Sequence, residues 1–354
     1  MHRNILMVLI ANVVLGTLIV LSSHHWFTLW VGLEMNTLSI LPILSYQFTP
    51  RNVESSVKYF LVQSVSAGIV LNVVIIQAWL YSSWSLMEPL NQATSFLMTL
   101  ALGLKLGLFP CHYWFPDVIQ GVGFIQGLVL STWQKIAPFA VLVYVVESLN
   151  ISLLASLGVL SVLVGGWGGL NQTQMRKIFA FSSIAHIGWI CSTVGYSVSV
   201  ACVMLVAYII INSSVFFMAN SFDLKSLSHV GRLSLYNFVG GAGLVLSILS
   251  LGGLPPLFGF LIKFISLKCL VENGCFILAG VLVMGSLLSL FFYLRIAFNS
   301  SLTLFPQHSL VVFSWRSNRN QTGGFTSEGV LLSVSFGISS LGLVCLPVFI
   351  SLLN

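Results

Sequence analysis

Four ionisable side chains lie inside long apolar runs of this 354-residue chain. Lys105 stands at the centre of a run over 94–116 and Lys135 at the centre of the next, over 124–146. Glu34 lies within two residues of the middle of a run over 26–46, and Lys263 lies inside a long run over 236–269. A charge at the centre of a bilayer costs about 2.5 to 3.5 kcal/mol on insertion scales. Such groups therefore face a hydrated interior or one another, and three central charges on three helices suit the handling of protons. The plain alternative is a buried ion pair that only fixes helix packing. Lys263 precedes Lys268 by five residues, about 7.5 Å of helix, so its stem could also snorkel towards the interface. Two histidines join the set, His112 beside Pro110 and His186 within a run over 175–195. An imidazole titrating near 6.5 is a natural proton relay, and a packed, hydrogen-bonded ring is the other reading. His24 and His25 adjoin Trp26 and read as part of an interfacial aromatic belt.

The elements that carry these residues follow from composition. The chain is 57% apolar and 6% charged, with 14 Lys or Arg against 8 Asp or Glu, for a net charge of +6. A soluble domain is roughly a quarter charged, so this composition cannot surface a water-facing globule. The scattered bases form no patch for nucleic acid. Six cysteines, at 111, 191, 202, 269, 275 and 345, form no CxxC pair, and neither a disulfide framework nor an iron-sulfur or zinc site is indicated. The basic start MHRN leads into an apolar run reaching Leu21 without a small-residue cleavage signal, which reads as a retained first helix.

A bilayer core takes about 20 residues of helix. Cutting wherever polar or turn residues interrupt runs of that length predicts eleven spans: 3–21, 26–46, 57–80, 94–116, 124–146, 150–170, 175–195, 198–219, 236–269, 276–298 and 329–350. The odd number puts the termini on opposite sides. Ten basic residues fall on the N-terminal side (Arg3, Arg51, Lys58, Arg176, Lys177, Lys225, Arg232, Arg295, Arg316, Arg319), and only Lys268 falls on the other. By the positive-inside rule the N-terminus lies in the matrix or cytoplasm.

Two spans carry breakers beside a lysine. Lys105 precedes Gly-Leu-Phe-Pro110 and a further Pro116, and Gly252-Gly253-Leu254-Pro255-Pro256 precedes Lys263. Proline removes a donor and clashes with the preceding turn, so both helices should be interrupted within the membrane. Irregular backbone is tolerated there only inside protein or beside water. These are the fourth and ninth spans, and an odd offset reverses the direction of crossing, as in an inverted repeat. The expected architecture is an all-α polytopic membrane protein. Residues 1–146 form a first five-helix half and 150–298 a second, inverted half. A loop over 299–328 and a final helix within 329–354 follow.

The blocks SSHHWFTLWVGLEMNTLSILPIL (22–44), PRNVESSVKYFLVQ (50–63), GLFPCHYWFPDVIQG (107–121), STWQKIAPF (131–139), NQTQMRKIFAFSSIAHIGW (171–189) and GGLPPLFGFLIKF (252–264) resemble subunit 2 of respiratory complex I, a family of antiporter-like membrane subunits that is mitochondrially encoded in animals. The match runs in register from residue 1 to about 298. The resemblance implies that Glu34 is the carboxylate paired with Lys105 and that Lys135 is the central lysine of the half-channels. It further implies that Lys263 is the exit-side lysine and that His112 and His186 lie along a hydrated axis. It places flavin, iron-sulfur clusters and the ubiquinone site in other subunits, with no cofactor or metal in this chain. It also implies the mitochondrial inner membrane, where the bias of basic residues puts the N-terminus in the matrix and the C-terminus in the intermembrane space. Other membrane-arm subunits and the lipid bilayer are the expected partners.

Three classes of function compete: a proton-translocating subunit of a redox-driven complex, a freestanding cation/proton antiporter, and a passive membrane anchor. A sodium site wants several hard oxygen ligands, by the logic that governs other hard cations. This interior offers one carboxylate and three ammonium groups, which suits protons. The anchor leaves the central lysines unexplained.

Overall fold

The computed structural model describes residues 3–86, 88–236, 238–255, 257–301 and 337. Among them the secondary structure is helical, with two isolated bridges, His25 to Ser85 and Gln174 to Ser226. Among the described residues, eight helical stretches are long and apolar enough to cross a membrane. The last expected span, 329–350, falls almost wholly outside the described residues, as does most of the 299–328 loop.

Contacts group the chain into two compact units, one of Met1–Val164 with His186–Val198, the other of Gly165–Ala185 with Ser199–Asn354. The first unit begins with α1 (Arg3–Ser22) and α2 (Trp26–Leu44), which pack on one another. They can do so closely because both present glycine: a Cβ on Gly16 would lie 3.0 Å from the Gly32 carbonyl. Small residues at the crossing supply the backbone approach that drives association in lipid, where apolar burial alone gives little. Helix α3 (Pro50–Tyr81) begins earlier than the 57–80 expectation. Thr49 caps it, accepting from Asn52 N–H at 3.3 Å, and Pro50 takes the first helical position, where its missing donor costs nothing.

Helix α4 (Gln92–Leu106) is followed by α5 (Trp114–Gly121), with the expected interruption between them. The terminator is Gly107, three residues ahead of the proline. Gly107 takes φ +78°, and the N–H groups of Gly107 and Leu108 both return to the Gly103 carbonyl, a left-handed cap that glycine adopts without strain. The fifth expected span is present as one apolar stretch, Phe124–Ser148, with a break that was not expected. It forms α6 (Phe124–Ser131) and α7 (Trp133–Val145), separated at Thr132. The Thr132 hydroxyl donates back to the Leu128 carbonyl at 2.7 Å, a bond that competes with helix geometry. Pro138 then denies the Gln134 carbonyl its usual donor. Helix α7 touches α1, α2, α4 and α6, so a locally weakened turn sits at the middle of the unit.

Helices α8 (Ile151–Leu170) and α9 (Met175–Val194) contribute to both units. The second unit adds α10 (Val198–Ser221), α11 (Leu227–Tyr236), α12 (Phe238–Gly252), α13 (Phe258–Glu272) and α14 (Phe276–Ser301). Helix α11 lies almost wholly between the expected spans 198–219 and 236–269, where no element was expected. It is pinned where Leu227 N–H donates to Thr173 O and Met175 N–H to Lys225 O, at 3.1 and 3.2 Å. The gap between α12 and α13 is the second expected interruption. It repeats the device of the first, with Gly253 at φ +78° bonding back to Leu249 and Ser250. Apolar side chains such as Met7, Trp79, Ile277 and Phe291 are exposed, while many serines, threonines and amides are buried, as expected where the surroundings are hydrocarbon.

Candidate functional site

Lys105 occupies the last turn of α4 and is 4% exposed. A cation there meets the negative end of the helix dipole. Its Nζ is fully buried without a protein hydrogen-bond partner. Glu34, half-buried on α2, acts electrostatically on Lys105 and on the hydroxyl of Tyr59. The carboxylate accepts instead from Thr37, Oγ1 to Oε2 3.2 Å. The Glu34 and Lys105 charges therefore interact across a gap and form no direct ion pair. On α3, Gln63 reaches the Lys105 carbonyl through Nε2 at 3.4 Å.

Lys135 lies in the first turn of α7, three residues after the Thr132 break, and is 4% exposed. Its ammonium sits 4.6 Å from the centroid of the Phe115 ring, where the ring quadrupole attracts a cation. The buried Cys191 thiol of α9 lies near it. One residue back, Gln134 joins three helices: its Oε1 accepts from Tyr59 OH at 3.2 Å, and its Nε2 donates to Asn36 Oδ1 at 2.9 Å. Tyr59, Asn36 and Gln134 were not expected from sequence. Their partners lie 75 and 98 residues away along the chain, and single polar residues in apolar runs carry no periodic signal. The one local hint was that Asn36 and Gln134 are polar near the centres of their spans.

His112 sits in the α4–α5 interruption, 1% exposed. Its Nδ1 faces Pro110 O at 3.2 Å, which fixes the ring, while its buried Nε2 has no protein partner. Phe109 and Tyr113 flank the ring. His186 is half-buried on α9. Glu34, Lys105, Lys135, His112 and His186 thus all belong to the first unit.

Lys263 belongs to the second. From the start of α13 its Nζ reaches back across the interruption and donates to Gly252 O at 2.8 Å. The approach requires a bare Gly253, since a Cβ there would lie 2.9 Å from Lys263 Cδ. Buried hydroxyls of Ser247, Ser250 and Ser266 bond to carbonyls one turn back on their own helices. Buried Lys105 and Lys135 and half-buried Lys263 thus each stand near a helix interruption. Among the described residues no group of three or more His, Cys, Asp or Glu side chains is placed to hold a metal ion.

Residues 23–289 match the family described as NADH:quinone oxidoreductase/Mrp antiporter, TM, and residues 290–350 match NADH dehydrogenase subunit 2 C-terminus. The NADH-ubiquinone oxidoreductase chain 2 of Pisaster ochraceus is 58% identical over 347 residues, covering 98% of each chain. The chain belongs to the NADH-ubiquinone oxidoreductase chain 2 family. The chain 2 of Strongylocentrotus purpuratus is 49% identical over 343 residues, 97% of each chain. Among solved structures, a chain of respiratory complex I from Thermus thermophilus superposes with a TM-score of 0.82 at 25% identity, covering 98% of this chain and 80% of that one. A chain of the Mrp complex from Dietzia sp. DQ12-45-1b shares the fold, with a TM-score of 0.79 at 19% identity over 95% of this chain and 74% of that one. All six candidate residues, from Glu34 to Lys263, fall inside the antiporter-type match of the chain 2 family.

Proposed function

We propose that the chain is a proton-translocating membrane-arm subunit of respiratory complex I in the mitochondrial inner membrane. NADH oxidation and ubiquinone reduction take place in other subunits, which hold the flavin, the iron-sulfur clusters and the quinone site. The observation that carries the reading is Lys135: an ammonium 4% exposed at a helix break, in a chain whose family is antiporter-type. A buried amine beside irregular backbone can hold or give up a proton at a point that water reaches.

In this reading the chain makes eleven crossings with residues 1–146 and 150–298 as inverted halves. The matching Gly107 and Gly253 caps, each followed by proline and each beside a lysine, support that relation. The ten-to-one bias of basic residues supports an N-terminus in the matrix and a C-terminus in the intermembrane space. A carboxylate favours a nearby ammonium and desolvation disfavours it, so the Glu34–Lys105 separation sets how firmly Lys105 keeps its proton. Lys105 and Lys135 then influence one another as like charges. A proton entering from the matrix passes Lys135, His112 and His186 along a hydrated axis and leaves near Lys263.

Lys135→Met keeps length and apolar bulk while removing the charge. The expected result in purified, reconstituted complex is normal assembly with coupled pumping lost. An unchanged proton-to-electron ratio in a fully assembled Lys135→Met complex overturns the reading. A freestanding cation/proton antiporter is separated by native electrophoresis of the source membrane, where it would migrate apart from any NADH-oxidising assembly.

A further inference from the structure

The first turn of α7 carries Lys135 between the Thr132 break and Pro138. Thr132 interrupts the helix three residues before the lysine, and Lys135 N–H bonds to Thr132 O at 3.2 Å, in a three-residue turn. Pro138, four residues beyond Gln134, supplies no N–H to the Gln134 carbonyl. A turn set between a helix break and a proline can be held in place by its side chains. One side chain in that turn does so from two directions. The Gln134 amide is held between Tyr59 OH on α3 and Asn36 Oδ1 on α2, at 3.2 and 2.9 Å. All three residues are buried, at 9%, 2% and 2% exposure for Gln134, Tyr59 and Asn36.

The two anchors are not arbitrary places. Asn36 is two residues from Glu34 on α2, and Thr37, the next residue, donates to the Glu34 carboxylate. The Tyr59 hydroxyl lies within electrostatic reach of that same carboxylate. The chain of bonds therefore ties the turn holding Glu34 to the turn holding Lys135. Its chemistry suits a strut and not a wire. With Nε2 spent on Asn36, the amide presents Oε1 to Tyr59, and an amide oxygen that accepts a proton's hydrogen bond has no proton of its own to pass on.

We propose that Gln134 is a positioning residue for Lys135, and that the Tyr59–Gln134–Asn36 chain is the strut that fixes the separation between the Glu34 and Lys135 charges. This rests on the proton-translocating reading above. The strut holds the Lys135 ammonium over the Phe115 ring and at a set distance from Glu34. A change of charge at one site is then felt at the other by a constant amount.

The test uses the whole complex, purified and reconstituted in vesicles, with Gln134→Leu, Asn36→Leu and their double variant, and with Lys135→Met in parallel. Each is read by native-gel assembly, NADH-to-quinone electron transfer, the proton-to-electron ratio, and the pH profile of pumping. The expected result is normal assembly, retained electron transfer, a lowered ratio, and a pH profile displaced by about half a unit or more. The double variant should be no worse than either single change, since both cut one strut. Losses that add in the double variant overturn the single strut. Unchanged ratio and profile in Gln134→Leu, while Lys135→Met abolishes pumping, overturns the strut and leaves the proton reading standing. An unchanged ratio in Lys135→Met overturns the proton reading itself. Should the leucine variants fail to assemble, Tyr59→Phe removes one oxygen and keeps the ring. It must then lower the ratio and displace the profile with assembly intact, and failure to do either overturns the proposal.

Discussion

Lys263 caps the helix that precedes its own: its Nζ donates to the Gly252 carbonyl at 2.8 Å, closing the gap between α12 and α13. The ammonium thereby meets the negative end of the α12 dipole, and it fits there because residue 253 has no side chain.

Gly253→Ala tests that fit. A left-handed φ costs an L-residue about 1 to 2 kcal/mol, and the new methyl would press on Lys263 Cδ at 2.9 Å. Gly274 has a similar φ, +74° against +78°, with nothing within 4 Å of its Cβ position. Gly274→Ala should therefore show only the strain, as a modest loss of thermal stability of the complex. Gly253→Ala should in addition lower the proton-to-electron ratio. Equal ratios in the two variants would show that the Lys263 contact is incidental.

Glu34→Gln keeps a group able to accept from Thr37 and removes the charge that reaches Lys105 and Tyr59. Coupled turnover should fall about tenfold, the effect of about 1.4 kcal/mol of lost charge interaction, with assembly retained. Glu34→Asp should be milder. The measurement is proton flux per electron in vesicles, and a wild-type ratio in Glu34→Gln would remove this carboxylate from the mechanism.

Arg295 is predicted to be structural. Its guanidinium donates to the carbonyls of Gly169, Leu170 and Gln172, the last at 2.7 Å, and so satisfies the open C-terminal end of α8. Arg295→Met should destabilise the complex by about 1 to 3 kcal/mol, seen as a lower dissociation temperature on heating, with the proton-to-electron ratio unaltered. Arg295→Lys should recover only part, because an ammonium lacks the planar fork. A changed ratio at full stability would contradict this assignment.

Sidedness can be read directly. Protease added outside intact mitoplasts should leave the 299–328 loop uncut and cut it only after the inner membrane is breached. Cleavage before breaching would reverse the orientation.

The apolar runs, the intramembrane lysines and the breaks near Lys105 and Lys263 were legible in the sequence because each depends on neighbours along the chain. Hydropathy over about 20 residues sets a span, and glycine followed by proline ends a helix locally. Even there the structure moved the terminator, from proline to Gly107 and Gly253, since the left-handed cap closes the helix before the proline is reached. The break at Thr132 had weaker local marks, a threonine and a proline six residues later, within a run apolar enough to read as one span. What only the tertiary structure decided is which polar groups meet. Glu34 bonds to Thr37 on its own helix and acts on Lys105 from a distance, while Gln134 bridges Tyr59 and Asn36. In a hydrocarbon surrounding, a buried amide gains by finding any partner, and the sequence contains many. Helix packing, set by small residues such as Gly16 and Gly32, determines which partners are within 3 Å or so.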